Sequence, residues 1–258
     1  MIRIFSQLLS KNDQRYIRWK KSLKNRPPPW NKGKNKNNDL GVKKISDTLK
    51  TKKIDNFKIW RENAKKLEII PNSKKLLNQD EDLAFLTGLI LGDGHLAKAS
   101  RTEVLRITLG TDKPNLWKYA AKIVNRVFNK KPNIRKRKHS EAMDITIYQN
   151  NLAKRLFIPL GPKRKYKLKL PTWIWNNKIF LISALKGLFE AEGSFSIHLK
   201  TCTYNFAFRN FNTSLLLEVK KALILFGYHP EERKTAIRLR KRDEALSFKQ
   251  LIKFRTFK

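Results

Sequence analysis

The chain has 258 residues, a formal net charge of +37 from 58 Lys+Arg against 21 Asp+Glu, and a 40% hydrophobic share that permits a core. Self-repulsion on that scale disfavours compaction unless a polyanion binds, so nucleic acid is the expected partner. No apolar run approaches the roughly 18 residues of a spanning helix. The opening MIRIFSQLLSKNDQ charges too soon for a signal peptide, so an intracellular protein with no membrane partner is expected. The lone Cys202 cannot close an internal disulfide, and four histidines form no cluster or zinc-finger spacing. Any metal must be held by oxygen.

Residues 1–75 carry 22 Lys+Arg against 6 Asp+Glu and read as a basic N-terminal extension. A helix is expected over Gln14–Lys24, ended by Pro27-Pro28-Pro29, which force an extended path. Trp30-Asn31-Lys32-Gly33-Lys34 follows, then short helices over Val42–Lys50 and Asn56–Leu67. From about Asp80 the chain repeats itself at an offset of 99 residues. Ala84–Gly94 (AFLTGLILGDG) aligns with Ser183–Gly193 (SALKGLFEAEG), each an apolar helix stopped at glycine. Strands are expected at His95–Ala99 and Glu103–Leu109, matched by Ser194–Thr201 and Tyr204–Phe211. Helices Asn115–Phe128 and Ser214–Phe226 come next. Hairpins follow, Asn133–Lys138 with Met143–Tyr148 and His229–Arg233 with Thr235–Arg240. Short helices Asn151–Phe157 and Glu244–Lys253 close the copies. The reading is an α+β fold of two αββαββα repeats, residues 76–157 and 173–258, joined by a Pro/Gly-containing linker at 158–172.

Small residues recur every fourth position in the two repeat helices: Ala84, Gly88, Gly92 and Ser183, Gly187, Ala191. Such a stripe lies on one helical face and lets two backbones approach closely. One acid follows each stripe, Asp93 and Glu192. Packed face to face about a pseudo-dyad, the helices would bring both carboxylates to one end. Neighbouring carboxylates repel unless cations neutralise them, and oxygen donors of this kind suit Mg²⁺. Thr87 and Lys186 are expected to face outward.

The segments LTGLILGDG and LKGLFEAEG resemble two copies of the LAGLIDADG motif, and the resemblance extends over residues 80–258. It implies a single-chain homing endonuclease: two antiparallel sheets as a saddle on double-stranded DNA, cutting both strands across the minor groove. It implies that Asp93 and Glu192 bind the catalytic metal, Mg²⁺ with Mn²⁺ able to substitute, and that the protein is a monomer. The sixth motif position, commonly an acid, is Leu91 in the first copy and Glu190 in the second, a position tolerant in the family. The last strand of copy two resembles the family's basic strand that reaches the catalytic centre. This places Arg240, and after it Arg238, as cations of the site; a phosphate contact outside the pocket is the alternative for each. Gln149 holds the corresponding place in copy one and could orient water.

Because strand residues alternate faces, one face can pack on helices while the other meets the major groove. Candidate readers are Arg101, Glu103 and Arg106 in copy one and His198, Asn205 and Arg209 in copy two. Arg135, Arg137 and Lys138 could contact bases or only phosphates. The Trp30–Lys34 segment, with Lys44–Lys50 after it, resembles the modular DNA-binding repeats attached to some homing enzymes. Trp30, Lys32 and Lys34 would then lie along DNA beside the cut; a disordered basic tail is the other reading. Two further functions fit the same fold: a maturase that binds intron RNA, and a DNA-binding regulator that never cuts.

Overall fold

The computed structural model describes residues 14–52, 56–67 and 75–256. It divides into two compact units, residues 1–64 and 65–258. The boundary expected at residue 75 adjoins residues 68–74, which lie outside the described residues.

The first unit holds α1 (Gln14–Lys24), α2 (Leu40–Thr51) and most of α3 (Asn56–Lys66). The start of α2 is fixed by Asp39, whose side chain accepts from the Val42 amide at 2.9 Å, satisfying a donor that the first turn leaves open. None of the α2 residues is buried. The same Asp39 pairs with Lys34 at 3.0 Å, and the Lys34 ammonium lies 5.4 Å from the centre of the Trp30 ring. Trp30, Lys34 and Asp39 are thus one local assembly around the turn at Gly33, whose φ of +79° suits glycine.

The second unit contains the two repeats. Copy one runs α4 (Glu81–Asp93), β1 (Gly94–Lys98), β2 (Glu103–Gly110), α5 (Pro114–Phe128), β3 (Asn133–Lys136), β4 (Ala142–Gln149) and α6 (Leu152–Leu156). A short helix, α7 (Thr172–Trp175), leads into copy two: α8 (Lys178–Glu192), β5 (Gly193–His198), β6 (Thr203–Arg209), α9 (Thr213–Leu225), β7 (Glu231–Arg233), β8 (Ala236–Leu239) and α10 (Arg242–Leu251). The fold is α+β, with two antiparallel sheets of strand order β1-β2-β4-β3 and β5-β6-β8-β7. The expected αββαββα order appears twice.

Alternation along the strands divides each sheet into a buried and a polar face. Leu105, Ile107, Leu109, Ile145 and Ile147 are buried in the first sheet, as are Phe206, Phe208, Ile237 and Leu239 in the second. The aromatic core of copy two centres on Phe189, whose ring lies 5.0 Å from Phe206 and 4.9 Å from Phe248, edge to face in both cases. The motif helices lie at the middle of the core. Every residue of α4 from Leu83 to Leu91 is buried, the pattern of a helix enclosed on all sides.

Two expectations need correcting here. Thr87 does not face outward: it is 1% exposed, and its hydroxyl donates to the Leu83 carbonyl at 2.7 Å. A back-bond within the helix supplies the partner that burial demands. Lys186 is half-buried. The 158–172 linker is also packed in part. Ile158, Leu168 and Leu170 are buried, and the Glu218 carboxylate accepts from the Leu170 amide at 3.2 Å and the Trp175 indole at 3.3 Å.

Candidate active site and nucleic-acid face

The two motif helices meet backbone to backbone. A Cβ added at Gly88 would stand 2.0 Å from the Ala184 carbonyl oxygen, and one at Gly187 would stand 2.1 Å from the Phe85 carbonyl oxygen. Gly88 and Gly187 are equivalent positions, as are Phe85 and Ala184, so the contact is reciprocal, the mark of a two-fold arrangement. Gly92 meets its own counterpart: a Cβ there would lie 2.4 Å from the Ala191 Cβ. The pseudo-dyad therefore passes between Gly92 and Ala191. Asp93 and Glu192 are the next residue on each helix and flank that axis.

Both carboxylates are held above the usual carboxylate range. Burial is the main cause for Asp93, opposed by the charges of Lys163 and Lys113. For Glu192 burial comes first, the Asp93 charge adds to it, and Lys163 opposes both. The Asn210 amide donates to Glu192 Oε1 at 3.4 Å. Lys163 lies between the two acids, from a short 3₁₀ turn over Lys163–Lys165. Its ammonium donates to the Leu91 carbonyl at 2.9 Å and to that of Gly92. Burial lowers the Lys163 pKa to about 8, while the charges of Asp93 and Glu192 work to raise it. Asn212 anchors this turn by donating to the Tyr166 carbonyl at 2.7 Å, and it also caps α9 through the Leu215 amide. Gly92, Glu192, Lys163, Arg164, Arg209 and Asn210 line one open cavity of about 640 Å³.

Lys163 and Asn210 were not legible as site residues. Lys163 stands among the five basic residues of KRKYKLK, and no periodicity distinguishes it. Its place follows from the packed path of the linker. Asn210 lies just past β6, and its side chain also accepts from the Asn212 amide at 2.8 Å, a local turn bond whose sequence signal is only an N-x-N spacing.

The structure does not bring Gln149 or Arg240 to the acids. Gly94, the residue after Asp93, is opposite Ile107, which is opposite Ile145. Gln149 is four residues farther along β4, about 13 Å at strand rise. It faces the core, 6% exposed, and accepts from Arg155 Nη1 at 2.8 Å. In copy two Gly193 is opposite Phe208 and Phe208 opposite Ile237. Arg240 lies three residues beyond Ile237, about 10 Å away, and is exposed. Arg238 is on the polar face, its Nη2 donating to Glu231 at 3.0 Å. Arg209 is the strand arginine at the acid cavity.

The other candidate readers fall on or beside the polar faces. Arg106 is opposite His95 and Thr146 and is exposed. Arg135 is opposite Asp144. Arg137 is fixed in place: its Nε donates to both Asp144 oxygens at 3.0 Å, and its Nη2 donates to the Thr108 hydroxyl at 2.9 Å. That guanidinium holds the Asp144 carboxyl below its ordinary range despite partial burial. Asn205 is opposite Ser196, with its side-chain oxygen buried and unpartnered. His198 is exposed and its Nδ1 pairs with the Thr201 hydroxyl at 2.8 Å. Arg101 and Lys138 are exposed in the turns at strand ends, and Lys32 in the turn of the first unit. Glu103 serves a structural end instead, accepting from the Ala153 amide at 2.9 Å at the start of α6.

Among solved structures, the chain is similar to mesophilic variants of the homing endonuclease I-DmoI, with a TM-score of 0.46 and 18% identity over 67% of this chain and 94% of that one. It is similar to I-DmoI in complex with DNA and Mn (TM-score 0.47, 18% identity, 67% and 96% covered). A third is the homing endonuclease I-WcaI bound to its DNA recognition sequence (TM-score 0.49, 16% identity, 69% and 83% covered). No family model and no curated protein matches the chain. At these scores the chemistry has to be read from the site itself.

Proposed function

We propose that the protein is a site-specific endonuclease of the LAGLIDADG kind, hydrolysing phosphodiesters on both strands of double-stranded DNA. It would act inside the cell as a monomer, since one chain holds both copies of the site. The observation that carries the reading is the pair Asp93 and Glu192, delivered to one pseudo-dyad by reciprocally packed helices, with the Lys163 charge acting on both.

The donor set fits a divalent cation. Burial keeps both carboxylates above their ordinary range despite the Lys163 charge, and Mg²⁺ is commonly held by one or two carboxylates with water and substrate phosphates completing its shell. Among the described residues no three or more His, Cys, Asp or Glu side chains are grouped so as to hold a metal ion, so the DNA itself would complete the coordination. When bound, Mg²⁺, or Mn²⁺ in its place, would supply the positive charge that promotes hydrolysis at phosphorus. The chain's own groups do the rest. Asn210 holds Glu192 in orientation. The Lys163 ammonium and the Arg209 guanidinium face the cavity and would offset charge building on the scissile phosphate. The polar sheet faces, with Arg106, Arg135 and Arg137 on one and Asn205, Arg209 and Arg238 on the other, would lie along the grooves.

The test begins with duplexes captured from a randomised pool in Ca²⁺ and then exposed to Mg²⁺ or Mn²⁺. Cutting is expected with the native chain, and its loss with Asp93→Asn plus Glu192→Gln while capture persists. Undiminished cutting by the double variant would remove these acids from the reaction.

A further inference from the structure

A second cavity, of about 610 Å³, opens at the other end of α4, with Gln149, Arg155, Phe128, Asn129, Lys75 and Arg126 in its wall. It is well separated from the acids. Asp80 and Asp82, at the first turn of α4, line it too, and the helix places them about 20 Å from Asp93. Gln149 also shares its sheet face with buried Ile145 and Ile147, opposite the face that carries Arg106 and Asp144. DNA on the polar face cannot reach it.

Arg155 is 7% exposed. Its Nη1 donates to Gln149 Oε1 at 2.8 Å, and the guanidinium lies 5.8 Å from the centre of the Phe128 ring. Its Nε and the Gln149 Nε2 are both buried without a partner among the described residues. The nearby carboxylates are engaged elsewhere: Asp82 accepts from Arg126 at 2.7 Å and Asp80 from the Leu83 amide at 2.8 Å. Burial lowers the Arg155 pKa. A guanidinium keeps its proton in a protein, so this is a buried cation without a counter-ion among the described residues, an arrangement that is costly until an anion arrives.

We propose that this cavity is a phosphate-binding site, with the Arg155 guanidinium and the Gln149 amide as donors to the oxyanion. The planar fork of arginine matches two oxygens of one phosphate group, and Lys65, Lys66 and Lys75 add positive potential in the same wall. The site is independent of the endonuclease reading, and neither acid of the pair takes part in it.

The full chain is melted in a phosphate-free buffer and again across a phosphate titration, beside Gln149→Glu and Arg155→Leu. Gln149→Glu gives Arg155 an internal carboxylate, so its melting temperature should rise without phosphate and its phosphate response should fall away. The native chain should gain about 2–4 °C when phosphate exceeds its dissociation constant by about fivefold, rising with the logarithm of concentration beyond that, and Arg155→Leu should lose that gain. Phosphate bound elsewhere on this basic chain raises all three alike and cancels in the comparison. If a short oligoadenylate produces the same variant-sensitive gain at lower concentration, the phosphate belongs to a polynucleotide; if only inorganic phosphate does, the occupant is a free anion. Equal gains in the native chain and Gln149→Glu would overturn the site. Should a variant fail to fold, the buried Arg155 Nε–H is followed by arginine-selective ¹⁵N NMR in the native chain, and a signal that phosphate leaves unmoved overturns it as well.

Discussion

The Lys163 ammonium donates to the Leu91 carbonyl at 2.9 Å, which ties a cation from outside either repeat to the last turn of the helix bearing Asp93. Basic groups are favoured at helix C-termini, and here that preference also sets a charge between two acids. On the endonuclease reading, Lys163→Met should slow single-turnover cutting by about 10²-fold, the scale on which a preorganised charge acts. Affinity for the duplex should change little. Lys163→Arg should recover only part of the rate, since a fork does not reproduce a point charge. Equal loss of affinity and rate would instead make Lys163 a groove contact.

Asp93 and Glu192 are both raised chiefly by burial. A carboxyl whose folded pKa exceeds its unfolded value gives stability that is complete below the unfolded pKa and is lost as pH rises through the folded one. At neutral pH the metal-free protein therefore carries an electrostatic cost at this site. Asp93→Asn and Glu192→Gln should each raise its melting temperature at pH 7, by about 2–4 °C for every kcal/mol relieved. The advantage should shrink in acid, as the native carboxyls take up protons. Melting curves from pH 4 to 8 would show it, and a lower melting temperature for both variants at pH 7 would contradict it.

Gly88→Ala puts a methyl group 2.0 Å from the Ala184 carbonyl oxygen, and Gly187→Ala one 2.1 Å from that of Phe85. Neither carbonyl is a flexible side chain that can swing aside. Each substitution should cost about 1–3 kcal/mol in chemical denaturation, as overpacking of a rigid core does. It should also part the helix ends that position the acids, so cutting should fall even where the variant remains folded. A cost below about 0.5 kcal/mol, usual for surface changes, would mean that the helices are not this close.

Asp144 fixes the plane of Arg137 through paired 3.0 Å bonds. Asp144→Ala should free that arginine and relax base preference at one position of the bound site, by about 1–3 kcal/mol. Lys138→Ala should instead weaken all sequences alike and reduce the salt dependence by about one ion. Sequencing duplexes captured by each variant would separate the two effects. An unchanged preference in Asp144→Ala would assign Arg137 to the phosphates.

The helices and strands were legible where side-chain period and chain punctuation agree, as in the stripe Ala84, Gly88, Gly92 that ends at Gly94. Strand register was less legible. Arg240 does share a face with Arg238 by alternation, but pairing of Phe208 with Ile237 sets which end of β8 adjoins the acids, and no local pattern announces that pairing. Gln149 was open to a better reading. The alternation that buries Ile145 and Ile147 buries it too, and a polar residue in an apolar row points to the core partner it finds in Arg155. Thr87 failed for a related reason: on a helix enclosed from Leu83 to Leu91 no side remains for it to face water.

The reciprocal contact between the motif helices has a consequence for how such a chain can change over time. A methyl group gained at Gly88 meets backbone across the axis, so no change of side chain there can answer it, whereas the two polar faces are under no such restriction. The halves are therefore bound to remain alike at the seam and free to become strangers elsewhere.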